Sequence, residues 1–209
     1  MNKKNKIILF DFDGVIVESI QLALKINQEM FTNLQLSDMQ RWAEGDVYNS
    51  KLLEGVDSVK QEEYYFSQYS KRLTTLMPVK GIEEILKEIK AMKYKMIIVS
   101  GSSEASIWEF LKKYKLDNFF EEVMAVETSK SKKEKFKMVF EKYKIKAKET
   151  VMITDTVGDL KDANETEIKS IGVVWGVHNA EILKKNGADF IAEKPEDMVV
   201  GIKKLLALN

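Results

Sequence analysis

Short apolar runs that end in acidic or small polar residues, spaced by stretches of helical periodicity, constrain this chain more than any other feature. Lys6-Ile7-Ile8-Leu9-Phe10 stops at Asp11, Lys95-Met96-Ile97-Ile98-Val99 stops at Ser100-Gly101, and Val151-Met152-Ile153-Thr154 stops at Asp155. Ser170-Ile171-Gly172-Val173-Val174-Trp175 makes a fourth run, with shorter candidates at Val123–Val126 and Ala188–Ala192. Runs of this length, apolar on both faces, are strands buried from both sides. Between them Ile82, Ile85, Leu86, Ile89 and Met92 recur at helical spacing, as do Ile107, Phe110, Leu111 and Tyr114, and then Phe136, Val139, Phe140 and Tyr143. Pro195 opens a last helix, where its missing N–H costs little. The alternation predicts an α/β fold, a Rossmann-like parallel sheet with helices on both faces. Ligands of such sheets sit outside the carboxyl ends of the strands. The residues that close the apolar runs are therefore the first candidates for a site.

One stretch breaks the alternation. From Ser19 to Leu76 there is no proline and little strand-like sequence. Ile20, Leu24, Ile26, Met30 and Phe31 approximate one helical face, and Tyr65, Phe66, Tyr69, Leu73 and Leu76 another. Gly45, Gly55 and Asp57 punctuate the middle, and Pro78 closes the stretch. The expectation is a core of residues 1–15 and 80–209 interrupted by an all-helical cap at 16–79.

At 209 residues the chain has room for one domain with such an insertion. Its 33 basic and 33 acidic side chains cancel, so no global field recruits nucleic acid or an anionic membrane. With no cysteine, thiolate catalysis, disulfides and Cys-zinc sites are excluded. The apolar run at Ile7 is too short for a signal-peptide core, and no run approaches a membrane span. A soluble cytoplasmic protein, monomer or homodimer, is expected. The lysine-rich segment from Lys130 to Lys148 reads as the wet face of an amphipathic helix, because Phe136, Val139, Phe140 and Tyr143 interleave with it.

The chemistry follows from the strand ends. Asp11 and Asp13 flank one residue, so an extended backbone presents both on one side. Gly14 then lets the chain turn close to whatever they bind. Paired carboxylates at the end of a buried strand call for a small hard cation, and Mg²⁺ takes one or two carboxylates together with waters and phosphate. Asp155 adds a further oxygen ligand, Ser100 a hydroxyl and Gly101 an accessible amide. A lysine would complete a site for phosphoryl transfer, which asks mainly for positioning and charge compensation.

Asp11-Phe12-Asp13-Gly14-Val15, Ser100-Gly101, Lys130 and Thr154-Asp155-Thr156-Val157-Gly158-Asp159, in this order, resemble the haloacid dehalogenase-like hydrolase superfamily. The helical stretch between the first two motifs is similar to the cap of its phosphoglycolate phosphatase and β-phosphoglucomutase branch. The resemblance implies a Mg²⁺-dependent phosphatase that hydrolyses a small phosphorylated metabolite through an aspartyl-phosphate. It makes Asp11 nucleophile and metal ligand, and Asp13 general acid/base and metal ligand through its carbonyl. Asp155 becomes the third metal ligand, with Asp159 behind it. Ser100, Gly101 and Lys130 would hold the phosphoryl group. The family spacing from lysine to helix aromatic selects Lys130, with Lys133 as the alternative; the usual prolines after this lysine are absent. Thr154 stands where the family commonly has glycine. A phosphomutase would use the same motifs, and a phospho-accepting receiver or a silent binding protein is a more distant reading.

Elsewhere the expectations are plain. His178, the one histidine, reads as a loop residue before a helix capped by Asn179, and Asp162 as solvent-facing. Within the cap Arg41, Trp42, Tyr48, Asn49, Lys51 and Arg72 could touch substrate. For the two arginines, ordinary surface ion pairing is the favoured reading.

Overall fold

The computed structural model describes residues 6–45 and 58–207. Six parallel strands form one sheet in the order β3-β2-β1-β4-β5-β6. They are β1 (Ile7–Phe10), β2 (Lys95–Val99), β3 (Glu122–Met124), β4 (Thr150–Thr154), β5 (Lys169–Val173) and β6 (Phe190–Ala192). The apolar runs thus become strands, and the all-parallel arrangement follows from helical crossovers between them. Helices α4 (Ile82–Ala91), α5 (Glu104–Lys113), α6 (Lys132–Tyr143), α7 (Val157–Glu165), α8 (Ala180–Lys185) and α9 (Pro195–Ala207) make those connections and the C-terminal layer.

The period of two along β1 divides the core. Ile8 and Phe10 join Ile85, Phe110 and Ile202 on one face, whereas Ile7 and Leu9 join Phe136, Val139 and Ala163 on the other. All four β1 side chains are fully buried. The strand order reverses between β1 and β4, which pair in register from Ile7 with Thr150 to Phe10 with Ile153. Their carboxyl ends therefore open side by side at the switch point, where such sheets bind ligands.

Between β1 and α4 the described chain is helical: α1 (Ile20–Met30), α2 (Leu36–Trp42) and α3 (Ser58–Leu73). Helix α1 is amphipathic in a way that the sequence stripe blurred. Leu22 and Ile26 pack with Tyr69 and Leu73 of α3 into the same apolar cluster as Phe12 and Val15. Ile20, Ala23, Asn27 and Met30, on another side of α1, line a cavity instead. The insert consequently shares its hydrophobic cluster with the sheet layer. Among the described residues, no helix is long and apolar enough to cross a membrane.

Candidate active site

Serine and threonine caps fix where the helices begin, and with them the floor of the cavity. Ser131 accepts the Glu134 N–H and starts α6 at Lys132, while Thr156 accepts the Asp159 N–H and starts α7 just beyond β4. Lys132 then shares a helical face with Lys135, Phe136 and Val139, at i, i+3, i+4 and i+7. Its Nζ lies 2.8 Å from Asp11 Oδ2 and 2.5 Å from Asp159 Oδ2. Thr154, the residue in the glycine position, donates its hydroxyl to the same Asp159 oxygen at 2.6 Å.

Asp11 sits one residue past β1, its N–H bonded to Ile153 O and its Oδ1 accepting the Phe12 N–H at 2.7 Å. Asp155 ends β4 beside it. Gly14, at φ +70°, leaves room that a Cβ would take away: such an atom would stand 2.1 Å from Asp155 Oδ2. Gly176 approaches from the other side equally closely. One Asp155 oxygen accepts the Val177 N–H at 2.8 Å. The other, Oδ1, is buried without a partner.

Burial governs the charges here. It pushes the Asp155 carboxyl up to about 7 and raises Asp11 well above the usual carboxylate range, with Lys132 opposing the rise at Asp11. Asp159 is buried too, yet the Lys132 ammonium and the Thr154 hydroxyl hold it below its ordinary value. Lys132 is held protonated despite its burial by the two carboxylates that it touches. Lys135, wholly buried with its Nζ donating to Ser100 O at 2.6 Å, is lowered to about 8 by desolvation and the nearby Lys132.

Asp13 faces away from this knot. Ser19 Oγ donates to its Oδ1 and Ser102 Oγ to its Oδ2, each at 2.6 Å, and Tyr69 of α3 donates to Oδ1 as well. Residues of the insert thus hold a carboxylate of the sheet.

The floor opens into a cavity of about 670 Å³, roofed by α1, α2 and α3. The C-terminal end of α2 docks on the start of α7: the Gly158 N–H donates to Ala43 O at 2.8 Å and Lys161 Nζ to Glu44 O at 2.6 Å. A Cβ on Gly158 would lie 2.7 Å from Gly45 O, so this approach requires glycine. His178 joins the two parts. Its Nδ1 accepts the Val157 N–H at 3.3 Å, which leaves the Nε2 proton to point at Gln40 O, 3.1 Å away.

Residues 8–173 match the haloacid dehalogenase-like hydrolase family. The chain belongs to that family. A phosphoglycolate phosphatase of Vibrio parahaemolyticus is 22% identical, covering 93% of this chain and 94% of its own length. The pyrophosphatase PpaX of Listeria monocytogenes is 23% identical over 97% of this chain and 99% of its own. Among solved structures, a predicted phosphatase from Clostridium acetobutylicum superposes with a TM-score of 0.81 at 21% identity, covering 96% of this chain and 99% of that one.

Against that family's motifs, the hydrolase differs from the sequence expectation at one residue above all. Lys130 does not reach Asp11; it is more than half exposed and pairs with Glu62 of α3 at 2.8 Å. It precedes the Ser131 cap, so its side chain leaves along the cavity mouth. Lys133, the alternative, turns outward to Glu165 at 2.8 Å. Lys132 is the lysine that touches Asp11, and its register with Phe136 and Val139 was the signal for it. Lys132 and Lys135 also depart from the wet-face reading of the lysine segment. Ser100 is fully buried behind the wall, with its Oγ accepting the Ser102 N–H at 3.0 Å, and Gly101 and Ser102 line the cavity.

His178 lies in the loop before α8, which Asn179 caps, as expected, and it is buried there. Asp162 is half-buried at the cavity and raised to about 6 by burial and the nearby Asp159. Arg41 pairs with Asp38 and Arg72 with Glu29, as ordinary surface pairing predicts. Tyr48, Asn49 and Lys51 lie outside the described residues.

Proposed function

We propose that the protein is a Mg²⁺-dependent phosphatase of small phosphorylated metabolites, working through an aspartyl-phosphate at Asp11. The observation that carries this reading is the floor of the cavity. There Lys132 bridges Asp11 and Asp159, while Asp155, its carboxyl group closely approached by Gly14 and Gly176, keeps a buried oxygen, Oδ1, without a partner. An orphaned buried anion is costly, and a cation removes that cost.

The donor set fits magnesium. Among the described residues, no three acidic or histidine side chains converge on one point, because Asp13 is turned to its hydroxyl partners and Asp159 to Lys132. Two carboxylates, Asp11 and Asp155, with the Asp13 carbonyl would hold the ion, which suits a cation that keeps several waters. Bound magnesium would supply positive charge to the phosphoryl oxygens and keep the buried carboxylates ionised.

The chain's own residues then divide the work. Asp11 Oδ attacks phosphorus, and the bond from phosphorus to the ester oxygen breaks. Asp13 gives a proton to the departing alkoxide and later takes one from the water that opens the acyl phosphate. Lys132 and the Gly101 amide compensate charge on the transferring group, with the Ser100 hydroxyl behind them. Asp159 and Thr154 fix the Lys132 ammonium. The segment at 16–79 acts as a cap whose docking on Gly158 and His178 excludes bulk water.

The test is phosphate release from a panel of phosphorylated metabolites with and without Mg²⁺. Asp11→Asn should abolish release while circular dichroism shows an intact fold. Activity near that of the unaltered protein would remove the nucleophile from Asp11.

A further inference from the structure

The roof of the cavity has a chemistry unlike its floor. Phe31, Trp42, Tyr65 and Phe66 line it together with Met30 and Met39. Two roof atoms are buried without hydrogen-bond partners, the Trp42 Nε1 donor and the Gln61 Oε1 acceptor. Buried polar groups are nearly always paired, and Trp42 and Gln61 both line the cavity, so a ligand that shifts these side chains can supply the missing partners.

Charge points the same way. Among the described residues, the cations at the cavity's edge already face carboxylates: Lys130 faces Glu62, and Lys133 faces Glu165 at 2.8 Å and Asp162 at 3.8 Å. Neither arginine of the insert lines the cavity. Glu62, a carboxylate of the described roof, would oppose a second anion brought in beside the phosphate. The volume is also in the range of clefts that enclose drug-sized molecules, far beyond a glycolyl group or a second phosphate.

We propose that the leaving group is an uncharged alcohol bearing a planar aromatic or heteroaromatic ring, held among Phe31, Trp42, Tyr65 and Phe66. Its acceptor receives the Trp42 Nε1–H and its donor meets Gln61 Oε1. The proposal rests on the phosphatase reading and narrows its substrate to aromatic phosphomonoesters. It sets this chain apart from the small anionic leaving groups implied by the names of its curated relatives.

The experiment compares alkoxide leaving groups, so that intrinsic reactivity does not decide the result. With Mg²⁺ present, kcat/KM is measured for benzyl phosphate, 4-carbamoylbenzyl phosphate and 2-phosphoglycolate, with acetyl phosphate, an activated acyl phosphate, only as a check that phosphoryl transfer occurs. Benzyl phosphate should exceed 2-phosphoglycolate by about tenfold or more, and the carbamoyl group, which carries a donor and an acceptor, should add about threefold. Calorimetric titration should show benzylphosphonate binding more tightly than phosphonoacetate. Trp42→Ala should shrink the benzyl preference through KM. If that protein does not fold, Gln61→Leu should remove the carbamoyl advantage and keep the benzyl one. Turnover of acetyl phosphate with 2-phosphoglycolate preferred over the benzyl esters would overturn the aromatic pocket alone. Absence of turnover on every substrate, acetyl phosphate included, would overturn the phosphatase reading and this one with it.

Discussion

On the floor of the cavity, polar atoms are tied to one another, and on its roof two are left open. Lys132, Asp159 and Thr154 form a closed set of bonds, and Asp13 is held by three hydroxyls. Above them Trp42 and Gln61 bury atoms with no partner. A floor so constrained keeps its groups in one geometry whatever the ester, which is what a fixed chemical step requires. A roof with unmet bonds is finished only by a ligand, so selection among esters falls to it. The floor's own exception, Asp155 Oδ1, belongs to an acid, which under the proposed reading gives up its proton to a bound cation rather than meeting an organic partner.

The sharpest way to break this contrast is to exchange the two lysines' roles. Lys132→Ala should lower kcat by about a hundredfold or more, as removal of a group that stabilises charge in the transition state does. Lys130→Ala, at an exposed side chain that pairs with Glu62 of the roof, should change kcat by less than about threefold. Steady-state kinetics on one substrate decides between them, and equal losses would mean that the floor is not where Lys132 places it.

Next comes the orphaned oxygen. A carboxyl raised to about 7 in the folded protein keeps its proton where the unfolded chain, titrating near about 4, has lost it. In chelator the folded state therefore loses stability as pH rises from about 4 to about 7, and Asp11, also raised, adds to the loss. Mg²⁺ should restore it, by about 2.7 kcal/mol at a hundredfold excess over Kd. The thermal shift should be larger at about pH 8 than at about pH 5.5, where the ion must displace a proton. Melting curves with Mg²⁺ and with chelator test this, and a shift independent of pH would detach the ion from Asp155.

Gly158→Ala probes the seam between floor and roof. A methyl group there meets Gly45 O, so the cap should seat less closely and kcat fall by about tenfold, with most of the fold's stability kept. Kinetics together with a melting curve separate the two effects. A smaller change should come from Thr154→Val, which deletes the hydroxyl that donates to Asp159 and accepts the Thr156 N–H. A loss of about 1 kcal/mol in denaturant unfolding and a few-fold fall in kcat are expected.

How far the sequence reached can be traced through single residues. That Asp11, Asp13, Gly101 and Asp155 would come to line one cavity was legible because each follows an apolar run, and parallel strands bring their carboxyl ends together. Lys132 was missed although its register with Phe136 showed which face it shares, because the Lys-Ser-Lys-Lys segment offers several candidates and only the Ser131 cap fixes the first turn. Ser19, Tyr69 and Ser102 had no signal at all. They lie 6, 56 and 89 residues from Asp13, and a hydroxyl has no periodicity that marks it. His178 was read from its neighbour Asn179, while its burial depends on Gln40, which is 138 residues away.

The chain alone determined the alternation of strands and helices, the helical character of the described insert, and which ends of the strands carry acids. Those follow from apolar spacing and from the reach of a few neighbouring residues. Only the folded molecule decided which lysine meets Asp11, which hydroxyls hold Asp13, and that the roof is aromatic with unmet hydrogen bonds. Such pairings depend on distances between segments remote in sequence, and nothing in local propensity encodes a distance of that kind.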